Sequence, residues 1–342
     1  MTTYADDILQ AGLEALPWEK LRGKNILVTG ATGLIGGCLV EILMRRTHTY
    51  HIYAAGRDRQ RACQRFADFI SDPTFHFLPY DVRQPLTCSI PFHFIVHAAS
   101  YASPAYFASQ PVEVITANIY GVNNLMEYGI RNGMERMLYV STGEIYGQSE
   151  AEMLKETDSG YVDCATQRAC YPSSKRAAES LCIAYSAEFG ADVVIARPCH
   201  TYGPHFTAGD NRVFCQFIRN VIDGEDIVMK SDGSQMRSWC YVTDCARGLL
   251  YVLLKGQRGE AYNIADPSSV FSIRQLAEAI AESAGRKVVC RLPPDQERSG
   301  YSIIKHAVFD TTRLQALGWN TEGDWRRKMR SSVEECRNDL MI

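Results

Sequence analysis

A tyrosine and a lysine four residues apart, Tyr171 and Lys175, are the clearest candidates for chemistry in this sequence. Helical periodicity continues over residues 176–182, and residues four apart lie on one face of a helix. An ammonium group beside a phenol favours the phenolate and lowers the phenol pKa from about 10 toward neutral pH. The pair could therefore act as a general base that removes a hydroxyl proton while a hydride leaves the same carbon. Thr142 could share that proton; alternatively, the pair is an ordinary surface feature of an amphipathic helix.

The element that would position a second reactant is the glycine-rich turn Gly30–Gly36. It follows a short apolar run over residues 24–29 and precedes helical spacing over residues 37–44. In such a unit Gly30 allows a tight turn, Gly33 lets the backbone approach a pyrophosphate, and Gly36 lets the helix pack close to the strand. The first N–H groups of the helix are then free to bind phosphates. The flanking strand and helix favour a dinucleotide-binding unit over an ordinary glycine turn.

The second predicted strand, residues 51–57, ends in an unusual way for a site that binds NAD. Such a site has Asp or Glu near this point to bind the ribose hydroxyls, but here the residues are Ala55, Gly56 and Arg57. Asp58 could be that acid, one position late. Arg57 could instead meet the 2′-phosphate of NADP(H), or be a solvated loop charge. The sequence leaves these alternatives open.

Further short apolar runs complete the predicted α/β fold with a buried parallel sheet. They lie at residues 76–80, 92–97, 137–140 and 193–196. The run at 92–97 leads into Ala98, Ala99 and Ser100, small residues that leave room for a ligand at the carboxyl edge of the sheet. A helix is predicted over residues 273–280 behind a capping serine, and a helix-like lead-in over residues 1–22.

Composition excludes several classes of protein. The 342 residues include 36 Lys plus Arg and 39 Asp plus Glu, a net charge of −3, which argues against a nucleic-acid partner held by a general basic field. We expect no membrane segment, since no apolar run approaches about 20 residues. The first residues are acidic and have no basic n-region, so we expect a cytoplasmic protein. Twelve cysteines are scattered without a CxxC pair, which indicates reduced thiols and no bound metal.

Four segments together resemble the extended short-chain dehydrogenase/reductases of the NAD-dependent nucleotide-sugar epimerase/dehydratase type. They are residues 29–36, 141–147, 171–175 and 197–204, and the likeness spans residues 24 to about 320. The resemblance implies a Rossmann-type doubly wound parallel sheet over residues 1–196 that tightly binds NAD or NADP. It implies a smaller C-terminal α/β domain, mainly residues 197–342 and interleaved with the first, for a nucleotide diphosphate sugar. A homodimer is also implied.

The resemblance also assigns roles to individual residues. The implied catalytic residues are Thr142, Glu144, Tyr171 and Lys175. The implied cofactor contacts are Gly30, Thr32, Gly33, Leu34, Ile35, Gly36, Arg57, Asp81, Val82, Ala98, Ala99, Ser100, Asn118, Tyr171, Lys175, Pro198 and His200. The implied substrate contacts are Ser100, Thr142, Arg212, Gln235, Arg237 and Tyr301.

Within this family the chain looks most like the UDP-glucuronate decarboxylases. Residues 168–171, 211–218 and 232–242 resemble their approach to the catalytic Tyr and their two arginine segments, and two guanidinium groups suit a diphosphate. Gly143 stands where the 4,6-dehydratases have an Asp, so 4,6-dehydration is disfavoured; Glu144 weakens simple 4-epimerisation. Two residues depart from the decarboxylase pattern: His200 replaces an Asn, and Ala307 occupies the position of an Arg thought to engage the sugar carboxylate. Lys305 or His306 could substitute for that Arg.

The resemblance implies a self-recycling reaction. Tyr171 removes the C4 hydroxyl proton, hydride moves to the nicotinamide, and the 4-keto group activates the neighbouring position or lets a β-carboxylate leave before hydride returns. An NADPH-dependent reductase of a nucleotide-linked keto sugar, with Tyr171 as acid, is the alternative. A non-catalytic NADP(H)-binding module is less favoured, because Tyr171 and Lys175 are both present.

Overall fold

The computed structural model describes residues 3–291, 304–321 and 323–339. The strands are β1 (Asn25–Thr29), β2 (His51–Gly56), β3 (Phe75–Pro79), β4 (Phe94–His97), β5 (Arg136–Val140), β6 (Val193–Pro198), β7 (His200–Tyr202), β8 (Ile227–Met229), β9 (Met236–Tyr241), β10 (Ala261–Ile264), β11 (Val270–Ser272), β12 (Val288–Cys290) and β13 (His306–Ala307). The helices are α1 (Tyr4–Gly12), α2 (Leu34–Arg45), α3 (Arg59–Arg65), α4 (Pro104–Ser109), α5 (Pro111–Arg131), α6 (Cys170–Phe189), α7 (Val213–Ile222), α8 (Val242–Lys255), α9 (Ile273–Ser283), α10 (Thr312–Ala316) and α11 (Trp325–Asp339).

A seven-stranded parallel sheet forms the centre of the fold, in the order β10-β6-β5-β4-β1-β2-β3. Parallel strands need crossover connections whose helices cover both faces of the sheet. That explains why Ile26, Leu27 and Val28 in β1 are all fully buried. The strand order reverses between β1 and β4, which opens a crevice at the carboxyl ends of these strands. The predicted Rossmann-type α/β fold is confirmed.

The second half of the chain contributes to more than one sheet. Strand β9 pairs with β7, β11 and β13, and β8 pairs with β12. Strand β10 returns to the central sheet, and α8 packs against β5, β6 and β10. The side chain of Ser272 caps α9 in a reciprocal box with Gln275, which stabilises the helix start that the sequence predicts. Within the described residues, no helix combines the length and the apolar character needed to cross a bilayer.

The N-terminal lead-in differs from the prediction of one helical segment over residues 1–22. Helix α1 is capped at Thr3 and stops at Gly12, and a separate 3₁₀ turn covers Trp18–Leu21. The break has a local cause, because Pro17 precedes the turn and has no N–H to donate to a helix. The α1 helix packs on α2 and α8, outside the central sheet.

Candidate active site

The turn after β1 forms a close-fitting cradle. Gly30 has a φ of +68°, and a Cβ there would lie 2.7 Å from the Ala99 nitrogen. A Cβ at Gly36 would overlap the carbonyl oxygen of Gly30, so the helix can approach the turn only because this residue is glycine. Gly33 occupies the N-cap position of α2, and no side chain of the described residues caps that helix. Its first N–H groups are therefore available to a phosphate at the sheet edge.

Tyr171 and Lys175 lie in the first turns of α6, and both are buried. The ammonium of Lys175 donates a 2.8 Å hydrogen bond to the carbonyl oxygen of Val140, the last residue of β5. It lies 4.8 Å from the ring centroid of Tyr139 and 6.0 Å from that of Tyr171. Burial lowers the pKa of Lys175 to about 7, because a charged amine loses hydration there.

The phenol of Tyr171 is less acidic than the sequence predicts. Burial, with a smaller contribution from the charge of Glu144, raises the pKa of Tyr171 to about 12. A hydrogen bond with Thr142 and the charges of Arg212 and Arg168 act in the opposite direction. The prediction that Lys175 brings this pKa toward neutral is therefore wrong for this arrangement, because burial dominates and the ammonium binds a main-chain oxygen.

The position of Glu144 is set by the backbone turn in which it lies and by a salt bridge with Arg168. It lies in a 3₁₀ turn, Gly143–Tyr146, where the side chain of Thr142 accepts a hydrogen bond from the Glu144 N–H. Arg168 donates to both carboxylate oxygens of Glu144, at 2.8 and 2.7 Å. A Cβ on Gly143 would overlap the ring of Phe309. An aspartate at position 143, the acid of the dehydratase pattern, thus has no room unless that ring moves.

The two arginines predicted to bind substrate lie near the same site. Arg212 pairs with Asp210 at 2.6 Å, and its charge also lowers the pKa of Tyr171. Arg237 lies in β9, and the charge of Glu144 acts on it. His200 lies at the start of β7, where loss of hydration and the charges of Arg237 and Arg212 lower the pKa of its imidazole below the usual value. This imidazole is therefore neutral at physiological pH.

A buried polar chain links the sheet edge to α6. The hydroxyl of Ser100 donates to the Asn118 side-chain oxygen at 2.8 Å. The amide of Asn118 donates to the hydroxyl of Ser174 at 2.9 Å. Since Ser174 lies between Tyr171 and Lys175, this chain fixes the catalytic helix against the end of β4.

The rim beyond β2 and β3 contains other predicted cofactor contacts. Asp81 accepts a 2.7 Å hydrogen bond from Arg83, and the carbonyl of Val82 accepts one from Asn124. The side chain of Asp58 accepts a hydrogen bond from the third residue of α3 and caps that helix. The carboxylate of Asp58 therefore contributes one of its oxygens to the start of α3.

Other predicted contacts lie farther along the chain. Pro198 ends β6, and Gln235 lies just before β9, where its carbonyl oxygen accepts a hydrogen bond from the N–H of Ile273. Ala307, in β13, lies opposite Arg237 of β9, and its neighbours Lys305 and His306 are exposed. Tyr301 lies outside the described residues.

Three residues of the site were not assigned a role from the sequence. Arg168 binds Glu144, Asp210 binds Arg212, and the ring of Phe107 stacks on Tyr171 with centroids 4.7 Å apart. The Asp-x-Arg spacing at 210–212 is a local signal that could have indicated the second pair. Phe107 has no such signal, because its contact depends on how α4 meets α6.

Comparison with known proteins shows that the chain is similar to one protein family along most of its length. A family model described as "NAD dependent epimerase/dehydratase family" matches residues 26–265. UDP-glucuronic acid decarboxylase 6 of Arabidopsis thaliana is 32% identical over 93% of this chain and 90% of its own length. UDP-glucuronic acid decarboxylase 1 of Xenopus tropicalis is 32% identical over 93% of this chain and 73% of its own length.

Solved structures share the fold at lower identity. The UDP-glucose 4-epimerase of Thermotoga maritima, solved with UDP-glucose, has a TM-score of 0.80 and 23% identity, covering 92% of this chain and 99% of that one. A dTDP-glucose 4,6-dehydratase of Streptomyces venezuelae, solved with NAD bound, has a TM-score of 0.79 and 22% identity, with coverages of 93% and 98%. The resemblance that the sequence motifs indicate is confirmed, together with the enzyme class.

Proposed function

This chain belongs to the NAD dependent epimerase/dehydratase family, and from that premise we propose that it decarboxylates a UDP-glucuronate-like nucleotide sugar through transient oxidation at C4. The observation that carries the proposal is the meeting of Thr142, Glu144 and Tyr171 after the end of β5. The neighbouring strand β4 leads into Ala98 and Ala99, which pack against Gly30 of the glycine turn. The decarboxylases of Arabidopsis and Xenopus that match most of the chain support this choice of reaction.

The glycine turn fits a dinucleotide, because its backbone conformation at Gly30 and its close approach at Gly36 leave a cradle that side chains would fill. Gly33 and the first turn of α2 would hold the pyrophosphate, and Ala98 and Ala99 leave room beside it. NAD or NADP bound there supplies reversible acceptance of a hydride.

The residues of the chain then handle the protons and hold the substrate. Tyr171 takes the proton of the C4 hydroxyl, and the hydrogen bond from Thr142 stabilises the phenolate. Loss of the carboxylate from C5, the carbon α to the new 4-ketone, releases carbon dioxide and leaves an enolate. We assign the return of a proton to C5 to Glu144, whose charge acts on the phenol of Tyr171. Arg212 and Arg237 neutralise the diphosphate, since guanidinium groups bind phosphate oxygens in pairs.

Epimerisation at C4 is the second candidate, and one residue favours it. Ala307 stands at the position of the family arginine and carries no charge, so the carboxylate of a glucuronate would lack that partner. A net NADPH-dependent reduction is not favoured, because two curated relatives that match 93% of the chain carry decarboxylase names.

Incubation of the purified protein with UDP-glucuronate tests the proposal. We expect release of carbon dioxide and a UDP-pentose in the mass spectrum, with no net consumption of reduced nicotinamide. Tyr171→Phe should reduce the rate by at least about 10³-fold while leaving dinucleotide binding intact. Recovery of a C4-epimer without carbon dioxide would reject decarboxylation in favour of the second candidate.

We also extend the proposal to assembly and location. Helices α5 and α6 pack together and expose Val112, Ile115 and Ile183, which supports a homodimer formed through these helices. None of the twelve cysteines forms a disulfide, as is usual in a reducing compartment, which supports a cytoplasmic location. Light scattering on the purified protein tests the dimer, and a monomer at micromolar concentration would reject it.

A further inference from the structure

We propose that the short helix α4 positions the phenol of Tyr171, and that Phe107 and Asn211 are positioning residues that act through this helix. Phe107 lies in α4 and contacts the phenol ring. Asn211 holds the start of the helix from the segment that contains Arg212. The inference rests on the proposed function in taking Tyr171 as the base, and it gives a role to two residues outside the catalytic and substrate-binding residues that the sequence predicts.

The ring of Phe107 lies nearly parallel to the phenol. The two ring centroids are 4.7 Å apart with 21° between the planes, and Phe107 is 3% exposed and Tyr171 5%. The guanidinium carbon of Arg168 also lies 4.7 Å from the Phe107 centroid, and this arginine binds Glu144. Because stacked rings and cation–π pairs hold defined geometries, the position of Phe107 affects both the phenol and the partner of Glu144.

Helix α4 is too short to be stable by itself. It has six residues, whereas isolated helices shorter than about 12 residues are marginal in water. The side chain of its N-cap residue, Ser103, accepts no hydrogen bond from the first N–H groups of the helix. The place of Phe107 against the phenol therefore depends on the contacts that other segments make with α4.

Asn211 supplies the missing cap from the segment that precedes α7. Its side-chain oxygen accepts the N–H of Ala105, the second residue of α4, at 3.2 Å, and it also accepts the hydroxyl of Ser103. The Ser103 hydroxyl in turn accepts the N–H of Asn211 at 3.2 Å. The residue that follows is Arg212, which is assigned to the diphosphate. These bonds therefore tie the start of α4 to the segment that would hold the substrate.

The other end of α4 is held by Gln167, in the 3₁₀ turn Gln167–Ala169 just before α6. Its side-chain amide donates to the carbonyl oxygens of Phe107 and Ala108, at 3.1 and 2.7 Å. The last carbonyls of a helix have no partner within it, so these bonds fix the end of α4 against the turn that leads to Tyr171. A change at either end of α4 would therefore move the ring that contacts the phenol.

Steady-state kinetics with UDP-glucuronate separate positioning from ordinary packing. Phe107→Ala should lower kcat by at least about tenfold, because a small displacement of a reacting group is costly in rate. Asn211→Ala removes the cap of α4 and should lower kcat about fivefold, with KM little changed, because the effect falls on the phenol and not on the bound diphosphate. The matched control, Ser109→Ala, removes a hydrogen bond within α4 at an exposed position and should change neither constant.

A variant that carries both substitutions shows whether Asn211 acts through Phe107. Once the Phe107 ring is absent, loss of the cap should have no further effect, so kcat should equal that of Phe107→Ala within about twofold. Losses in kcat that multiply would overturn the link through α4. A rise in KM with unchanged kcat in Asn211→Ala would place Asn211 in substrate binding and overturn its positioning role.

Nitration of Tyr171 by tetranitromethane tests the ring contact without substrate, because the reagent modifies accessible phenolates. Mass spectrometry of the peptide that contains Tyr171 measures the rate. We expect Tyr171 to react at least about threefold faster in Phe107→Ala than in the native sequence, and at the native rate in Ser109→Ala. The fully buried Tyr139 is the internal reference, and its rate should not change.

Two nitration results would overturn the inference. An equal rate at Tyr171 in Phe107→Ala and the native sequence would show that the ring does not cover the phenol. A parallel increase at Tyr139 would show general loosening of the fold in place of a specific contact. Failure of the native protein to convert UDP-glucuronate would reject the proposed function, and the nitration rates would still decide whether Phe107 holds the phenol.

Discussion

Replacing Lys175 by methionine is expected to stabilise the folded protein at mildly acidic pH although it removes a residue of the catalytic pair. The lysine is buried, and its folded-state pKa is about 7 against a usual value of 10.5. Below pH 7 the folded protein must therefore hold a charged amine where hydration is lost. Methionine has a similar length and no charge, so it avoids this cost.

The expected gain in the free energy of unfolding follows from the difference between the folded-state and unfolded-state pKa values of Lys175. The gap between 10.5 and about 7 corresponds to about 5 kcal/mol at about 1.4 kcal/mol per pKa unit. The substitution also removes the hydrogen bond to the Val140 carbonyl, and an unsatisfied buried acceptor costs about 1–3 kcal/mol. A net gain of about 2–4 kcal/mol in the free energy of unfolding is expected at pH 6.

The difference in stability between Lys175→Met and the native sequence should decrease as the pH rises. Between about pH 7 and 10.5 the unfolded lysine keeps its proton and the folded lysine loses it. The stability of the native sequence, relative to the variant, therefore rises through this range. The advantage of Lys175→Met should shrink with increasing pH and be lost by about pH 9–10.

Urea unfolding of both proteins at pH 6, 7.5 and 9 measures this difference. Groups that titrate alike in the two proteins cancel in the comparison. The matched control is Lys155→Met, at an exposed lysine, for which a flat difference within about 0.5 kcal/mol is expected. A variant that is less stable than the native sequence at pH 6, or a difference that does not vary with pH, would show that burial of the Lys175 charge does not destabilise the folded protein.

Three other substitutions should change either the stability of the protein or the pH dependence of its activity. Gly143→Ala should lower stability by about 1–3 kcal/mol, because the new methyl group overlaps the Phe309 ring; an unchanged melting temperature would show that the ring moves freely. Arg168→Met removes a cation that lowers the pKa of Tyr171, so the pH profile of kcat should shift to higher pH, and an unshifted profile would contradict this electrostatic role. Glu179 and Arg197 form a largely buried ion pair at 2.7 Å. Glu179→Gln removes the counter-charge of Arg197 and should lower the free energy of unfolding in urea by about 3–5 kcal/mol; a loss below about 1 kcal/mol would count against a stabilising role for that pair.

The features of the site that are formed within one short segment of the chain can be predicted from the sequence. The strand, glycine turn and helix around Gly30 and Gly36 follow from spacing within one short segment, and the structure places them as expected. Tyr171 and Lys175 share a helix because four residues make about one turn. Even so, the acidity of the phenol was predicted wrongly, because burial depends on neighbours that no local pattern reveals.

Contacts between distant segments could not be read from spacing. The pairing of Glu144 with Arg168 depends on how the turn after β5 meets the start of α6. The absence of room beside Gly143 depends on Phe309, which lies far along the chain. At the N-terminus the helical pattern predicts one segment, but α1 ends at Gly12, and Pro17 excludes a continuous helix into the turn Trp18–Leu21.

In the proposed reaction Tyr171 removes the sugar C4 hydroxyl proton while hydride passes from C4 to a dinucleotide held at the glycine turn. A single-turnover stopped-flow experiment with UDP-glucuronate deuterated at C4 tests it most directly, by following the near-ultraviolet absorbance of reduced nicotinamide. We expect a transient rise and fall of this absorbance, a rise slowed by deuterium, and no rise in Tyr171→Phe. Full product formation without any reduced nicotinamide, or at the same rate in Tyr171→Phe, would contradict it.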